Sequence, residues 1–117
     1  MRKADLLLLY LLALIIFSST LIFQTDPGYM DSEFYYLGSR QILRGEISIP
    51  VLWNYLDHPS GLPTPIFSYW MPFSSLLSAL SMCIFGASFL GSRILLVLLS
   101  AGLAPFTYWL SYKICFN

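Results

Sequence analysis

The stretch Leu6–Phe23, LLLLYLLALIIFSSTLIF, carries no charge, no proline and no glycine. A helix needs roughly 20 mainly apolar residues to cross a bilayer core of about 30 Å. This run has about that length. In lipid its backbone groups must pair within the segment, so the run is a helix. A cleaved signal peptide is the competing explanation, since Arg2 and Lys3 supply a basic start and the leucines an apolar core. The apolar run, however, continues past Ser18-Ser19-Thr20 through Leu21-Ile22-Phe23, and no A-x-A-like site follows. An uncleaved anchor is therefore expected.

The rest of the chain points the same way. Of 117 residues, 57% are hydrophobic and only 10% charged, against about 25% charged in a soluble domain. Net charge is zero, which argues against a nucleic-acid partner, because phosphate neutralisation needs surplus Lys and Arg. Two more segments have spanning character: Ile66–Phe85, without charge, and Ile94–Tyr112, bracketed by Arg93 and Lys113. The expected fold class is an all-α membrane protein with three transmembrane helices, residues 6–23, 66–85 and 94–112, in a single membrane segment covering residues 1–117. The small residues Ser74, Ser75, Ser78, Ala79 and Ser81 suit close helix packing in the second span.

Arg2 and Lys3 favour a cytoplasmic N-terminus. Three spans would then put loop 24–65 on the extracytoplasmic side of the inner or plasma membrane, residues 86–93 inside and the C-terminus outside. Arg2, Lys3 and Arg93 inside balance Arg40, Arg44 and Lys113 outside, so only the N-terminal pair decides. Cys83 and Cys115 would lie about a bilayer thickness apart, too far to bridge, and neither has a partner at zinc spacing. Arg93 is expected to snorkel at the inner end of the third span.

The loop between the first two spans has about 40 residues, a length that in a compact protein marks function or disorder. Its Trp and Tyr content argues against disorder. Asp31–Arg44 reads as a helix. Asp31 is placed to cap it, Glu33 lies in the first turn, Arg40 and Arg44 lie toward the end, and Gly45 is placed as the C-terminal stop. Phe34, Leu37 and Ile42 fall near one face, and Glu33, Arg40 and Arg44 near another, as in an amphipathic helix at a membrane surface. Gly38 interrupts it. Ile47–Pro65 holds Pro50, Pro59, Pro63 and Pro65, which exclude helix over most of its length. Trp53, Tyr55 and Leu56 are expected at headgroup level. Pro72 is expected to kink the second span or mark its first ordered turn, and Gly102 and Pro105 to bend the third.

Asp31 and Glu33 are the first groups able to do chemistry. Carboxylates accept a proton from a hydroxyl or hold a hard divalent cation such as Mg or Mn, and no other cofactor is implied. Spacing alone favours ordinary capping and dipole pairing for both. His58, the only histidine, sits in Asp57-His58-Pro59, where a turn residue is the ordinary role. Arg40 and Arg44 could hold a phosphate or simply meet headgroups.

The order of a basic start, a span, "GYMDSEFYYLGSRQILRG", the loop "VLWNYLDHPSGLPTPIFSYWMP", a span, a tight turn ending "GSR" and another span resembles the N-terminal part of the GT-C superfamily of integral-membrane glycosyltransferases. The nearest branch is that of protein O-mannosyltransferase-like and aminoarabinose-transferase-like enzymes. The resemblance implies transfer of a sugar from a polyprenyl-phosphate carrier to an extracytoplasmic acceptor, with the donor and membrane lipid as partners. It makes Asp31 the first catalytic candidate and Glu33 the second, and Tyr35, Tyr36, Arg40, Arg44 and His58 the substrate-binding candidates. Two departures stand out. Ser32 separates the acids that many relatives carry side by side, and Leu62-Pro63-Thr64-Pro65 lacks the lysine many relatives have there. Family members have many more spans, so the chain is expected to be an N-terminal part that is inactive without the missing remainder of the enzyme. The alternatives are a small non-enzymatic membrane protein that binds partner spans, and a module that binds lipid headgroups through the loop helix.

Overall fold

The computed structural model describes residues 2–28, 31–49, 64–65 and 71–116. The expectations for His58, for Trp53, Tyr55 and Leu56, and for the first residues of the second span lie outside the described residues. The described chain is helical apart from one two-residue antiparallel ladder. Its elements are α1 (Lys3–Phe23), α2 (Asp31–Leu43), β1 (Ser48–Ile49), β2 (Thr64–Pro65), α3 (Phe73–Phe85) and α4 (Phe89–Phe116). In the ladder Ser48 pairs with Pro65 and Ile49 with Thr64, which closes the Pro-rich loop at its base.

Among the described residues, α1 and α4 are the two helices long and apolar enough to cross a membrane. The 21 residues of α1 rise about 31 Å, close to the thickness of a bilayer core. Its start is fixed by the Arg2 amide, which donates to the Asp5 carboxylate at 3.3 Å. Large apolar side chains face outward along it, Ile15 and Ile16 being 70% and 67% exposed. Such a surface is unfavourable in water and favourable against lipid tails.

α4 is longer at both ends than residues 94–112. It starts at Phe89, because the Ser88 hydroxyl accepts from the Gly91 amide at 3.0 Å and caps the first turn. It runs unbroken through Pro105, which has no N–H to donate one turn back.

α3 covers the described part of the expected second span, whose residues 66–70 lie outside the described residues. Its 13 residues begin immediately after Pro72, whose carbonyl accepts from the Leu76 amide at 2.9 Å. Proline is favourable at a helix start and unfavourable inside one, so Pro72 begins this helix rather than kinking a longer one. About 20 Å of helix falls short of a bilayer core.

The α3–α4 hairpin packs through small residues. Ser75, Ser78, Ala79 and Ser81 are buried on α3, and Gly91, Ser92 and Ala101 on α4. The Ser81 hydroxyl donates to the Gly91 carbonyl and accepts from the Leu95 amide at 3.0 Å. A methyl group at Gly91 would meet the Gly86 carbonyl, whereas one at Gly102 would meet nothing within 4 Å. Gly91→Ala is therefore expected to destabilise the chain by about 1–3 kcal/mol through overpacking. Gly102→Ala is expected to stabilise it slightly through helix propensity. Unfolding midpoints in detergent micelles check both signs.

α2 packs on α3. Phe34 is fully buried, with Tyr35, Leu37 and Ile42 against it. Gly38 and Ser39 are buried as well, and the Ser39 hydroxyl donates to the Tyr36 carbonyl at 2.7 Å and approaches the Met82 sulfur at 3.9 Å. The helix stops as its sequence predicts. The Gly45 amide donates to the Ile42 carbonyl at 3.0 Å, the Glu46 amide to the Gln41 carbonyl at 2.9 Å, and Gly45 takes φ +77°, which glycine adopts without strain.

The end-to-end arrangement departs from three successive crossings. Arg93, in the first turns of α4, reaches the last turn of α1: Nη1 donates to the Gln24 carbonyl at 2.8 Å and Nη2 to the Thr20 carbonyl at 2.7 Å. Farther along, the Tyr10 hydroxyl donates to the Leu98 carbonyl at 3.4 Å. Ascending positions on α1 thus meet descending positions on α4, and the pair is antiparallel. Three full crossings would put residues 24 and 93 at opposite membrane faces; here they touch. The structure thus does not show three successive crossings: the α1 and α4 ends at residues 24 and 93 are joined. Ser81 lies beside Gly91 and Leu95, and Ser74, two turns earlier on α3, lies near Gln24 and Arg93.

Candidate functional site

A cavity of about 230 Å³ opens where α2 meets the joined ends of α1 and α4. Ser32, Tyr35 and Tyr36 line it from α2, and Phe89, Ser92, Arg93 and Leu96 from α4. Gln24 closes it at the end of α1 and Ser74 at the start of α3.

Ser32, Tyr35 and Tyr36 share a helix face because they lie three and four residues apart. Asp31 and Glu33 flank Ser32 by one residue each, about 100° to either side of that face. The structure accordingly leaves Asp31 exposed and Glu33 half-buried, and neither lines the cavity. Of the substrate-binding candidates, Tyr35 and Tyr36 are brought into the wall. Arg40 is exposed, with its guanidinium 5.9 Å from the centre of the Tyr36 ring. Arg44 is exposed in the turn after α2, away from the cavity lining. For a metal, no group of three His, Cys, Asp or Glu side chains comes together among the described residues.

Arg93 is the residue that the loop sequence gives no reason to suspect. It does not snorkel as a solitary cation. Its fork binds two carbonyls at the C-terminal end of α1, where a helix leaves acceptors unpaired and its dipole favours positive charge. Its guanidinium also lies 4.9 Å from the centre of the Phe89 ring, one turn earlier on α4. Tyr36 meets the same ring edge-to-face at a centroid distance of 5.4 Å. Arg40, Tyr36, Phe89 and Arg93 thereby form a chain of two rings flanked by two cations that joins α2 to α4. In the Gly91-Ser92-Arg93 triplet, Gly91 allows close approach of the chain, Ser92 forms a buried wall and Arg93 provides the clamp.

Chemically, the cavity presents a guanidinium, several hydroxyls and aromatic edges, and no carboxylate among the described residues. Two guanidinium N–H groups hold α1, and an arginine has five. Such a lining suits a small anion with hydrogen-bonding oxygens. At about 230 Å³ it is below the usual range for drug-sized ligands. Comparison with protein families, curated proteins and solved structures gives no match to this chain.

Proposed function

We propose that the chain is the donor-binding N-terminal part of an integral-membrane glycosyltransferase that uses a polyprenyl-phosphate sugar. α1 and α4 cross the membrane, α2 lies at its surface, and the cavity at Arg93 receives the donor's phosphate head. The observation that supports this reading is the convergence of Ser32, Tyr35, Tyr36, Ser92 and Arg93 beside the ends of the two long apolar helices. A lipid-linked donor keeps its tail in the bilayer and its phosphate at the interface, the depth at which a helix long enough to cross would end. Charge-assisted hydrogen bonds from an arginine and neutral ones from hydroxyls are the groups that steady a phosphate. Asp31, beside the cavity, is placed to face an acceptor held by the remainder of the enzyme.

One observation favours a second reading, a non-enzymatic headgroup-binding membrane protein: Asp31 and Glu33 flank the cavity rather than converge in it. Sugar transfer by the chain joined to further spans separates the two. For the shared binding step, the chain in zwitterionic nanodiscs is titrated with a short polyprenyl phosphate and with the matching polyprenol. Saturable binding of the phosphate is expected. Ser92→Leu, which fills the cavity, is expected to weaken it by about tenfold, or 1.4 kcal/mol. Asp31→Asn should leave it unchanged, since that acid lies outside the cavity. Equal affinity for phosphate and alcohol would sink the proposal.

A further inference from the structure

A second hollow, of about 560 Å³, lies along the α1–α4 pair. Leu9 and Phe17 line it from α1, and Ser100, Ala104, Thr107 and Ser111 are among its α4 residues. On α4 it is lined from the same helix face as the first cavity. On α4, Phe89, Arg93 and Leu96 line the headgroup cavity, and Ser100, Ala104, Thr107 and Ser111 line the second hollow. Every step in that series is three or four residues, the spacing that keeps side chains on one face of a helix. On α1, Leu9, Phe17 and Gln24 follow at about two turns each, again on one face. The two hollows therefore lie on the same side of one seam. From Arg93 to Ser111 that seam rises about 27 Å, most of a bilayer core.

The lining changes character along this path. At the α2 end stand a guanidinium and hydroxyls. Beyond Leu96 the walls are Leu9, Phe17 and Leu103, over a floor of small side chains. The serine and threonine hydroxyls of such a floor can bond their own helix's carbonyls, leaving a shallow and largely apolar trough. We propose that a single anionic amphiphile fills both hollows, with its phosphate at Arg93 and its hydrocarbon chain along the α1–α4 seam. This rests on the headgroup reading of the first cavity. A partner helix fits less well, because it would cover the trough and leave the cationic end without an anion.

The test uses an alkyl phosphate with a diazirine near the end of its chain, photolysed with the full chain in zwitterionic nanodiscs and mapped by peptide mass. Located residue by residue from fragment masses, labels are expected on Leu9 and Phe17 of α1 and on Leu103, Ala104, Thr107 and Ser111 of α4. Ile15 and Trp109, exposed to lipid but off the seam, should stay unlabelled. Ala104→Phe, and independently Thr107→Leu, should abolish seam labelling. Neither should change the line broadening that the chain imposes on inorganic phosphate in a phosphorus NMR spectrum. Even labelling around both helices would overturn the seam while leaving the headgroup cavity standing. Absence of phosphate broadening in the unmodified chain would overturn the headgroup reading itself. A drop in oligomeric state on Ala104→Phe would identify the occupant as a second copy of this chain and also overturn the proposal.

Discussion

Replacing Arg93 by alanine is expected to separate α1 from α4. Hydrogen bonds to a charged partner each contribute about 1.5–3 kcal/mol, so losing both donations to Thr20 and Gln24 costs on the order of 3 kcal/mol or more. The loss falls at a sensitive place. The carbonyls at the end of α1 have no intrahelical partners beyond the Gln24 amide, which donates to the Thr20 carbonyl at 3.2 Å. α1 exposes most of its large side chains and buries only Ala13. Arg93→Lys should recover part of the effect but not all. An ammonium carries the charge and can reach one carbonyl, but it lacks the planar fork that spans two. The expected order of unfolding midpoints in micelles is Arg, then Lys, then Ala. Spin labels at residues 3 and 113, which neighbour each other at the far end of an antiparallel pair, should broaden in distance in the alanine variant. Unchanged midpoints and distances in both variants would show that the clamp contributes nothing to the pairing.

The elements that can be read from the residues are those whose signal is local. α1 is legible because an apolar run of that length has few alternatives. α2 is legible because its start and stop chemistry is complete: acids in the first turn, and Gly45 at a position that needs a positive φ. The second span is legible only in part: composition runs it back to Ile66, whereas the described helix starts after Pro72, a single residue inside that apolar run. The crossing pattern is not legible for a related reason. It assumes that every apolar run crosses, and the balanced cations on the two sides give no competing signal. The site divides in the same way. Tyr35 and Tyr36 lie where the tyrosine-rich helix suggests, and helical periodicity alone explains why Ser32, rather than its acidic neighbours, shares their face. The role of Arg93 is not legible, because its partners lie 69 and 73 residues away in sequence and are backbone carbonyls, which no side-chain pattern announces.

Residues 26 and 88 are expected on the same side of the membrane, with residues 3 and 113 together on the other. In a cysteine-free background (Cys83→Ser, Cys115→Ser), single cysteines at Asp26, Ser88, Lys3 and Lys113 would be probed in intact cells with a membrane-impermeant maleimide. All four positions are exposed, so labelling reports sidedness rather than burial. Antiparallel α1 and α4, clamped at Arg93 and Gln24, predict that Asp26→Cys and Ser88→Cys behave alike, and that Lys3→Cys and Lys113→Cys give the opposite result. Three full crossings predict instead that Asp26 and Ser88 differ and that Lys3 and Lys113 differ. The response is all-or-none, because a charged reagent does not cross the hydrocarbon core. The outcome also fixes α3. If residues 26 and 88 share a side, the chain from Gln24 to Ser88 leaves and returns at one face, and the 13-residue α3 dips only partway along the pair. Hydroxyl-rich helix faces are tolerated at that depth when they are packed against protein, as Ser75, Ser78 and Ser81 are here. If the two positions differ, α3 must extend through residues 66–70 to cross. The Arg93–Gln24 contact could not then survive in the bilayer, and the cavity built on it would be lost with it.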